Sequence, residues 1–342
     1  MAEALRRTEV LTGIAPDAIP FDEIIAANRP AIVKQVAADW PLVHAGRDSA
    51  AAAMAYLRQF DQGRAMTVYV GPPEIAGRFH YDATATGMNF TAERSPLGAI
   101  LDRLASTQDD PNTPSLYIGS TDIDGFLPRL REENDLALTP RMAAHAPLAS
   151  IWIGNRTIAS AHYDMSNNVA CPVVGRRRFT LFPPDQVGNL YPGPLDPTPA
   201  GQVVSMVDFA APDFERYPRF ADALAAAEVA ELEPGDILIY PALWWHHVEA
   251  LDAFNVMINY WWNAVPAFID TPMTTLLHGL LSLRDRPASE RAAWRALFDY
   301  YLFDDPVAAA AHLPEAARGP LAPLDPVQAR RLRAQLLNRL NR

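Results

Sequence analysis

The chain contains a single cysteine, Cys171, and no long run of apolar residues. A single cysteine excludes an internal disulfide, which suits a reducing compartment. A membrane-spanning helix needs about 20 apolar residues in succession, and no segment of that kind occurs. The opening segment, MAEALRRTEVLTGIAP, has no apolar core of the signal-peptide type. We therefore expect a cytoplasmic protein with no membrane partner.

Basic residues are outnumbered by acidic ones. The chain has 29 lysines and arginines against 40 aspartates and glutamates, and its formal net charge is -11. That charge argues against a general affinity for nucleic acid, whose phosphate backbone is bound by basic surfaces. One basic stretch, QARRLRAQLLNRLNR, ends the sequence with five arginines and no acid. A solvated helix face is its simplest interpretation, and a binding patch is the alternative.

Proline is abundant, and 31 prolines divide the chain into short segments. Many of these segments are rich in β-branched and aromatic residues, as strands are. Many short strands without alternating helices predict an antiparallel β-sandwich or barrel. The predicted strands are 31–37, 65–70, 115–120, 150–155, 159–164, 167–175, 176–183, 230–241, 244–251 and 254–262.

The pattern becomes helical after about residue 270. TTLLHGLLSL, SERAAWRALFDYYLF, PVAAAAHL and PVQARRLRAQLLNRL follow, and Leu332, Leu336 and Leu340 share one face of the last helix. The sequence thus predicts a sheet-rich domain over residues 1–270 and a helical unit over residues 271–342. The apolar faces of short helices need a partner surface, which is either the sheet domain or a second chain.

A candidate metal site begins in the segment SAHYDMSNN. His162 and Asp164 are two residues apart, so they share one face of a strand. Imidazole and carboxylate are both metal ligands, although a His-x-Asp pair also arises by chance. A second pair, His80 and Asp82 in FHYD, precedes the turn-rich segment ATATGMNF. Because no strand follows to hold its ligands rigid, we expect no metal at the second pair.

The segment WWHHVEAL supplies a third ligand. Neighbouring residues of a strand point to opposite faces, so only one of His246 and His247 can join the site. Glu249 shares a face with His247 and should point to water, which makes that face the outer one. His246 therefore points inward, towards His162 and Asp164. Two histidines and one carboxylate form the facial triad of non-haem Fe(II) oxygenases, which leaves metal positions open for co-substrate and oxygen.

An anion-binding residue is predicted in VVGRRRFTLFPP. Arg177 shares a strand face with the apolar residues Phe179 and Leu181, whereas Arg176 and Arg178 lie on the opposite face. Arg177 should therefore be buried, and a buried guanidinium needs an anionic partner. That partner is either the distal carboxylate of 2-oxoglutarate or an internal acid in a structural salt bridge.

Several longer motifs accompany these residues: AHYD, VGRRRFTLFPPDQ, NLYPGP, VDFAAPDFERYPRF, EPGDILIYPALWWHHVEAL and NVMINYWW. Together they resemble the JmjC or cupin-like family of Fe(II)/2-oxoglutarate oxygenases, and within it the branch of the asparaginyl hydroxylase that inhibits hypoxia-inducible factor. The resemblance covers about residues 115–262. It implies a mainly β fold with α-helices, the double-stranded β-helix or jelly roll, followed by the C-terminal helical unit. It also implies that His162, Asp164 and His246 are the iron ligands.

The resemblance extends to the co-substrate contacts. It implies that Tyr117, Asn168 and Asn259 are polar neighbours of 2-oxoglutarate, with Arg177 at the distal carboxylate. The sequence departs from the branch at two positions: Arg177 stands in place of a lysine, and Ala159 in place of a hydroxyl residue. Arginine keeps the positive charge of lysine but not its reach or geometry.

The function we expect is an Fe(II)- and 2-oxoglutarate-dependent dioxygenase that uses O2 to hydroxylate a C–H bond of a peptide or protein side chain. One alternative is the same chemistry on a small molecule or as a demethylase. Another is a non-catalytic cupin that binds a metal or ligand. The resemblance also implies a homodimer formed through the C-terminal helices.

Overall fold

The computed structural model describes residues 5–108, 110, 112–136, 147–199, 201–305 and 307–341. The chain divides into two compact units, Met1–Ala264 and Val265–Arg342. Within the described ranges, no helix is both long enough and apolar enough to cross a membrane.

Strands hold more residues than helices in the described part of the first unit. They are β1 (Arg6–Arg7), β2 (Glu9–Leu11), β3 (Ala31–Val33), β4 (Ala65–Gly71), β5 (Arg78–Phe79), β6 (Thr91–Pro96), β7 (Ser115–Asp122), β8 (Leu148–Gly154), β9 (Ile158–Tyr163), β10 (Asn167–Val174), β11 (Arg177–Phe182), β12 (Glu228–Leu232), β13 (Ile237–Tyr240), β14 (Trp245–Ala250) and β15 (Asn255–Trp262). The helices of this unit are α1 (Phe21–Ala26), α2 (Pro41–Asp48), α3 (Ala50–Arg58), α4 (Leu97–Ser106), α5 (Ile123–Phe126) and α6 (Phe220–Ala226).

The strands form two sheets that face each other. In the described residues, one sheet has the order β1-β12-β11-β14-β9-β5 and the other β2-β3-β13-β10-β15-β8-β7-β4-β6. From β8 onward the chain passes back and forth: β8, β10, β13 and β15 lie in the nine-stranded sheet, and β9, β11, β12 and β14 in the six-stranded sheet. Neighbours among these eight strands pair antiparallel. The fold is therefore mainly β, and it is the predicted jelly roll.

Apolar side chains fill the space between the sheets and cover both outer faces. Phe179 and Val248 of the six-stranded sheet meet Leu238 and Met257 of the nine-stranded sheet in the middle. Helices α2, α3 and α4 cover the outer face of the nine-stranded sheet. Leu190, Val207 and helix α6 cover the outer face of the six-stranded sheet. The strands that carry the predicted site are thus held from both sides.

The structure corrects the sequence prediction for several elements of this unit. Helices do occur among the strands, and α4 buries Leu97, Ile100, Leu101 and Leu104 at the spacing of one helix face. The predicted strand 230–241 is two strands, β12 and β13, because a turn separates them. At that turn Gly235 has a φ of +97°, and a Cβ there would lie 2.9 Å from the backbone of Ala38.

The second unit is helical where it is described. It contains α7 (Pro272–Ser282), α8 (Ala288–Phe298), a π-helical turn (Asp299–Phe303) and α9 (Pro326–Leu340). Short 3-10 turns connect α8 to α9. Leu336, Leu337 and Leu340 of α9 are exposed.

Candidate metal centre

Three predicted ligands meet between the two sheets. His162 on β9 lies directly opposite His246 in the antiparallel pairing with β14, and Asp164 follows the end of β9. One ligand atom from each residue lies within 4.8 Å of the other two. Across the part of the chain that the structure describes, this is the one group of three or more histidine, cysteine or acidic side chains close enough to hold a metal ion.

Both imidazole rings are oriented by backbone carbonyls. The Nδ1 atom of His162 is 2.8 Å from the Ser160 oxygen, and that of His246 is 3.0 Å from the Trp244 oxygen. This bonding places the proton on Nδ1 and leaves Nε2 as the metal-binding atom. The His246 Nε2 lies 3.7 Å from the Asp164 carboxylate. Burial lowers the pKa of His246 to about 4, so the ring is a neutral ligand at physiological pH. The donor set therefore fits a divalent transition metal such as Fe(II).

His247 points away from the triad, as alternation along β14 requires, but its face of the strand is not exposed to solvent. Its ring is buried and stacks on Phe209, with 4.3 Å between ring centroids. Trp245 beside it is buried too. This face is the outer one, as expected, but it is not solvated, because residues of the segments 190–199 and 201–227 cover it. Of the three residues on this face, Glu249 alone is partly exposed.

The second His-x-Asp pair lies elsewhere. The His80 Nε2 bonds the backbone oxygen of Ser205 at 3.0 Å, and Asp82 accepts hydrogen bonds from the backbone and hydroxyl of Thr84. Among the described residues, neither side chain has the two further ligands that a metal site would need. These hydrogen bonds instead hold the segment that contains His80 and Asp82 in place.

The triad opens into a cavity of about 480 Å³ between the sheets. Its charged lining residues are Asp164 and Arg177, and the rest of the wall is aromatic, apolar or uncharged polar. It includes residues that the sequence interpretation overlooked: Tyr69, Phe79, Met88, Phe90, Thr198, Pro199, Val204, Tyr240 and Met257. Tyr240 follows the inward alternation of β13 and could have been found, whereas the loop residues carry no such signal.

Arg177 is buried, as the alternation argument predicts, and is 2% exposed. It is hydrogen-bonded with the Tyr117 hydroxyl, and burial raises the pKa of Tyr117 to about 12 while lowering that of Arg177. Two guanidinium nitrogens, Nε and Nη2, have no hydrogen-bond partner. No carboxylate of a described residue pairs with Arg177, whereas Arg176 and Arg178 pair with Asp252 and Glu231 on the exposed side. The internal-acid alternative therefore finds no partner in the described chain.

The two predicted asparagines act as a pair. Asn259 lines the cavity, and its Nδ2 donates to the Asn168 side-chain oxygen at 3.1 Å and to the Val169 carbonyl at 3.3 Å. This orientation leaves the buried Oδ1 of Asn259 without a partner. Asn168 is fully buried and is not among the residues that line the cavity. The structure thus places Asn168 behind Asn259, where it orients that amide.

Similarity to known proteins agrees with this geometry. Residues 16–268 match the model of the cupin-like domain. The chain belongs to the cupin-like family. The human HSPB1-associated protein 1 is 25% identical over 280 residues, which are 79% of this chain and 55% of that protein.

Two further relatives match over shorter stretches. Lysine-specific demethylase JMJ31 of Arabidopsis thaliana is 32% identical over 129 residues, which are 37% of this cupin-like chain and 23% of that protein. The tRNA wybutosine-synthesizing protein 5 of Gallus gallus is 38% identical over 106 residues, 31% of this chain and 30% of that protein. The chain spans about half or less of the length of these relatives.

Proposed function

We propose that the protein is an Fe(II)- and 2-oxoglutarate-dependent dioxygenase that hydroxylates a C–H bond of a peptide or protein side chain. One observation carries the proposal: a two-histidine, one-carboxylate group and a buried arginine with unpartnered donors share a single cavity. A cupin that only binds a metal has no use for the arginine. A dicarboxylate co-substrate explains why the metal-ligand group and the arginine share one cavity.

The residues that line the cavity fit both the metal ion and 2-oxoglutarate. Three protein ligands leave metal positions for the co-substrate and oxygen. A buried guanidinium without a partner is costly, and a carboxylate can accept two of its N–H groups. When bound, Fe(II), 2-oxoglutarate and O2 supply the oxidising chemistry, in which 2-oxoglutarate becomes succinate and carbon dioxide while one oxygen atom goes to the substrate.

The chain itself contributes binding, orientation and exclusion of water. Arg177 and the neutral Tyr117 hydroxyl hold the distal carboxylate, and the free Oδ1 of Asn259 accepts a hydrogen bond at the cavity wall. His162 and His246 keep their Nδ1 protons on backbone carbonyls, so neither ring delivers a proton to the reaction. The aromatic wall limits the access of water to the reacting atoms.

The proposed substrate class rests on the likeness to the asparaginyl hydroxylase branch. One relative also bears the name of a lysine-specific demethylase. A small-molecule substrate and demethylation are the competing outcomes. Peptide mixtures that increase succinate formation, with a mass gain of one oxygen atom on the peptide, support the proposal. A mass loss of one methyl group would indicate demethylation.

The chemistry is tested by two measurements on the 342-residue chain. Without oxygen, Fe(II) and 2-oxoglutarate together should give a weak visible charge-transfer band, and air should then produce succinate. Asp164→Ala should abolish both signals. Asp82→Ala is the matched control, because it changes the same kind of His-x-Asp motif away from the cavity, and it should retain them. Metal binding without the band or succinate would identify a non-catalytic cupin.

A further inference from the structure

Residues that line the cavity carry buried hydrogen-bond donors that nothing in the described chain satisfies. Besides Nε and Nη2 of Arg177, the indole Nε1 atoms of Trp152 and Trp261 are buried and have no partner. All three residues line the cavity. Buried donors are almost always paired in folded proteins, and leaving one unpaired costs free energy. Their ligand must therefore offer several acceptor oxygens.

The strand register locates the two indoles at different depths. Trp261 lies opposite Asn168, which in turn lies opposite Tyr240, and the Tyr240 ring is 4.9 Å from that of His246. Trp261 thus belongs to the row of residues beside the metal triad. Trp152 lies opposite Met257, which is two positions from Trp261 along the same face of β15. The two indoles therefore serve different parts of a ligand.

Trp152 lies on the side of Arg177. Its ring centroid is 5.8 Å from that of Tyr117, whose hydroxyl is hydrogen-bonded with Arg177. Gly119 leaves room for the indole, since a Cβ there would lie 3.2 Å from the ring. Trp261 packs edge-to-face with the same indole, with 5.8 Å between ring centroids. The indole is thus held in place with its N–H unpaired.

The opposite wall offers no hydrogen bond at this depth. Ala159 of β9 lines the cavity and packs with Trp152 against the same apolar cluster. The next residue, Ser160, donates its hydroxyl to the Phe79 carbonyl at 3.3 Å, so that hydroxyl proton is already used. The indole N–H of Trp152 is therefore a further, uncharged donor in the cavity wall for ligand oxygens that Arg177 binds.

We infer that Trp152 is a positioning residue that donates its indole N–H to the carboxylate bound by Arg177, the distal carboxylate of 2-oxoglutarate. The inference rests on the proposed function and assigns a contact that the metal triad and Arg177 leave open. It also gives the two tryptophans separate roles, with Trp152 at the distal carboxylate and Trp261 in the row beside the metal.

The test compares two ligands on the Mn(II)-loaded chain of 342 residues by calorimetry, which needs no turnover. 2-Oxoglutarate carries the distal carboxylate, and 2-oxopentanoate has the same carbon chain without it. Trp152→Phe keeps an aromatic ring and removes the N–H, and Trp261→Phe is the matched control. The thermal unfolding midpoint of each variant shows that it is folded. Trp152→Leu is the second variant if the phenylalanine protein does not fold.

We expect Trp152→Phe to raise the Kd of 2-oxoglutarate about tenfold and to leave that of 2-oxopentanoate within about twofold, the scale of a hydrogen bond to a charged group. Trp261→Phe should not reproduce this selectivity. An unchanged Kd for 2-oxoglutarate in Trp152→Phe, with tight binding by the parent protein, overturns the inference and leaves the proposed function intact. Failure of the parent protein to bind 2-oxoglutarate overturns both.

Discussion

His246 and His247 are neighbours in sequence, yet the strand gives them opposite surroundings. His246 faces His162 and Asp164, whereas His247 stacks on Phe209 outside the barrel. We expect His246→Ala to abolish tight Mn(II) binding in calorimetry, because only the inward ring reaches the other ligands. His247→Ala should retain most of the affinity. Equal losses from both changes would contradict the assignment of the triad.

The burial of His247 adds a second expectation to this comparison. His247 is 5% exposed and its ring fills space beneath Phe209, so its removal leaves a cavity. His247→Ala should therefore lower the free energy of unfolding, by about 1–3 kcal/mol, even though metal binding persists. Urea denaturation measures that change, and His247→Phe should lose less stability because it keeps a stacking ring.

Arg177 should respond differently to substitution, since its proposed role is to bind a ligand and no carboxylate of a described residue pairs with it. Arg177→Ala should raise the Kd of 2-oxoglutarate more than tenfold, because a hydrogen bond to a charged group contributes about 1.5–3 kcal/mol. Arg178→Ala, which breaks an exposed pair with Glu231, should leave the Kd nearly unchanged. A large effect at Arg178 would mean that the assumed role of the inner strand face is wrong.

At the scale of elements, the turn between β10 and β11 sets the register that buries Arg177. Gly175 has a φ of +71° there, and a Cβ would lie 2.4 Å from the Asn255 side-chain oxygen. Gly175→Ala should lower the free energy of unfolding by at least about 1–3 kcal/mol, because it adds a collision to backbone strain.

Gly63→Ala is the control for that turn. Gly63 has a similar φ of +69°, but no atom lies within 4 Å of its hypothetical Cβ. Urea denaturation should show a smaller loss at Gly63, since it carries strain without a collision. A loss at Gly63 as large as that at Gly175 would mean that the contact with Asn255 is unimportant.

The strands were largely predictable from sequence, and the walls of the cavity were not. Two-residue alternation identifies the inner face of β9, β11 and β14, and with it the burial of Arg177 and the opposite directions of His246 and His247. Alternation gives no information about loops, so Met88, Thr198 and Pro199 were missed. His247 is covered by Phe209, which is distant in sequence, and no local sequence pattern predicts such a contact.

At the scale of the whole molecule, we propose that the C-terminal unit joins two chains. Leu336, Leu337 and Leu340 of α9 are about half exposed, and Phe303 is 75% exposed. A symmetric pairing of such helices would bury these side chains. Light scattering at micromolar concentration should give the mass of two chains. A mass near that of one chain would rule out the dimer under those conditions.

Substitutions in α9 locate the dimer contact. Leu336→Glu with Leu340→Glu should yield monomers, because buried carboxylates cost far more than the lost apolar contact. Gln335→Glu with Asn338→Glu is the matched control, since both positions are exposed and polar and the added charge is the same. The control protein should keep the mass of the unchanged chain. Equal dissociation by both pairs would indicate a general charge effect instead.

The direct opposition of His162 and His246 across β9 and β14 has a consequence for the chain as a polymer. A metal held by both residues would act as a reversible cross-link between segments that are far apart in sequence. It would close a long loop of the chain, as a disulfide does, in a protein with one cysteine. Because the unfolded chain cannot present the same ligand set, the unfolding temperature should rise with metal concentration. Iron supply would then govern the lifetime of the folded protein as well as its activity.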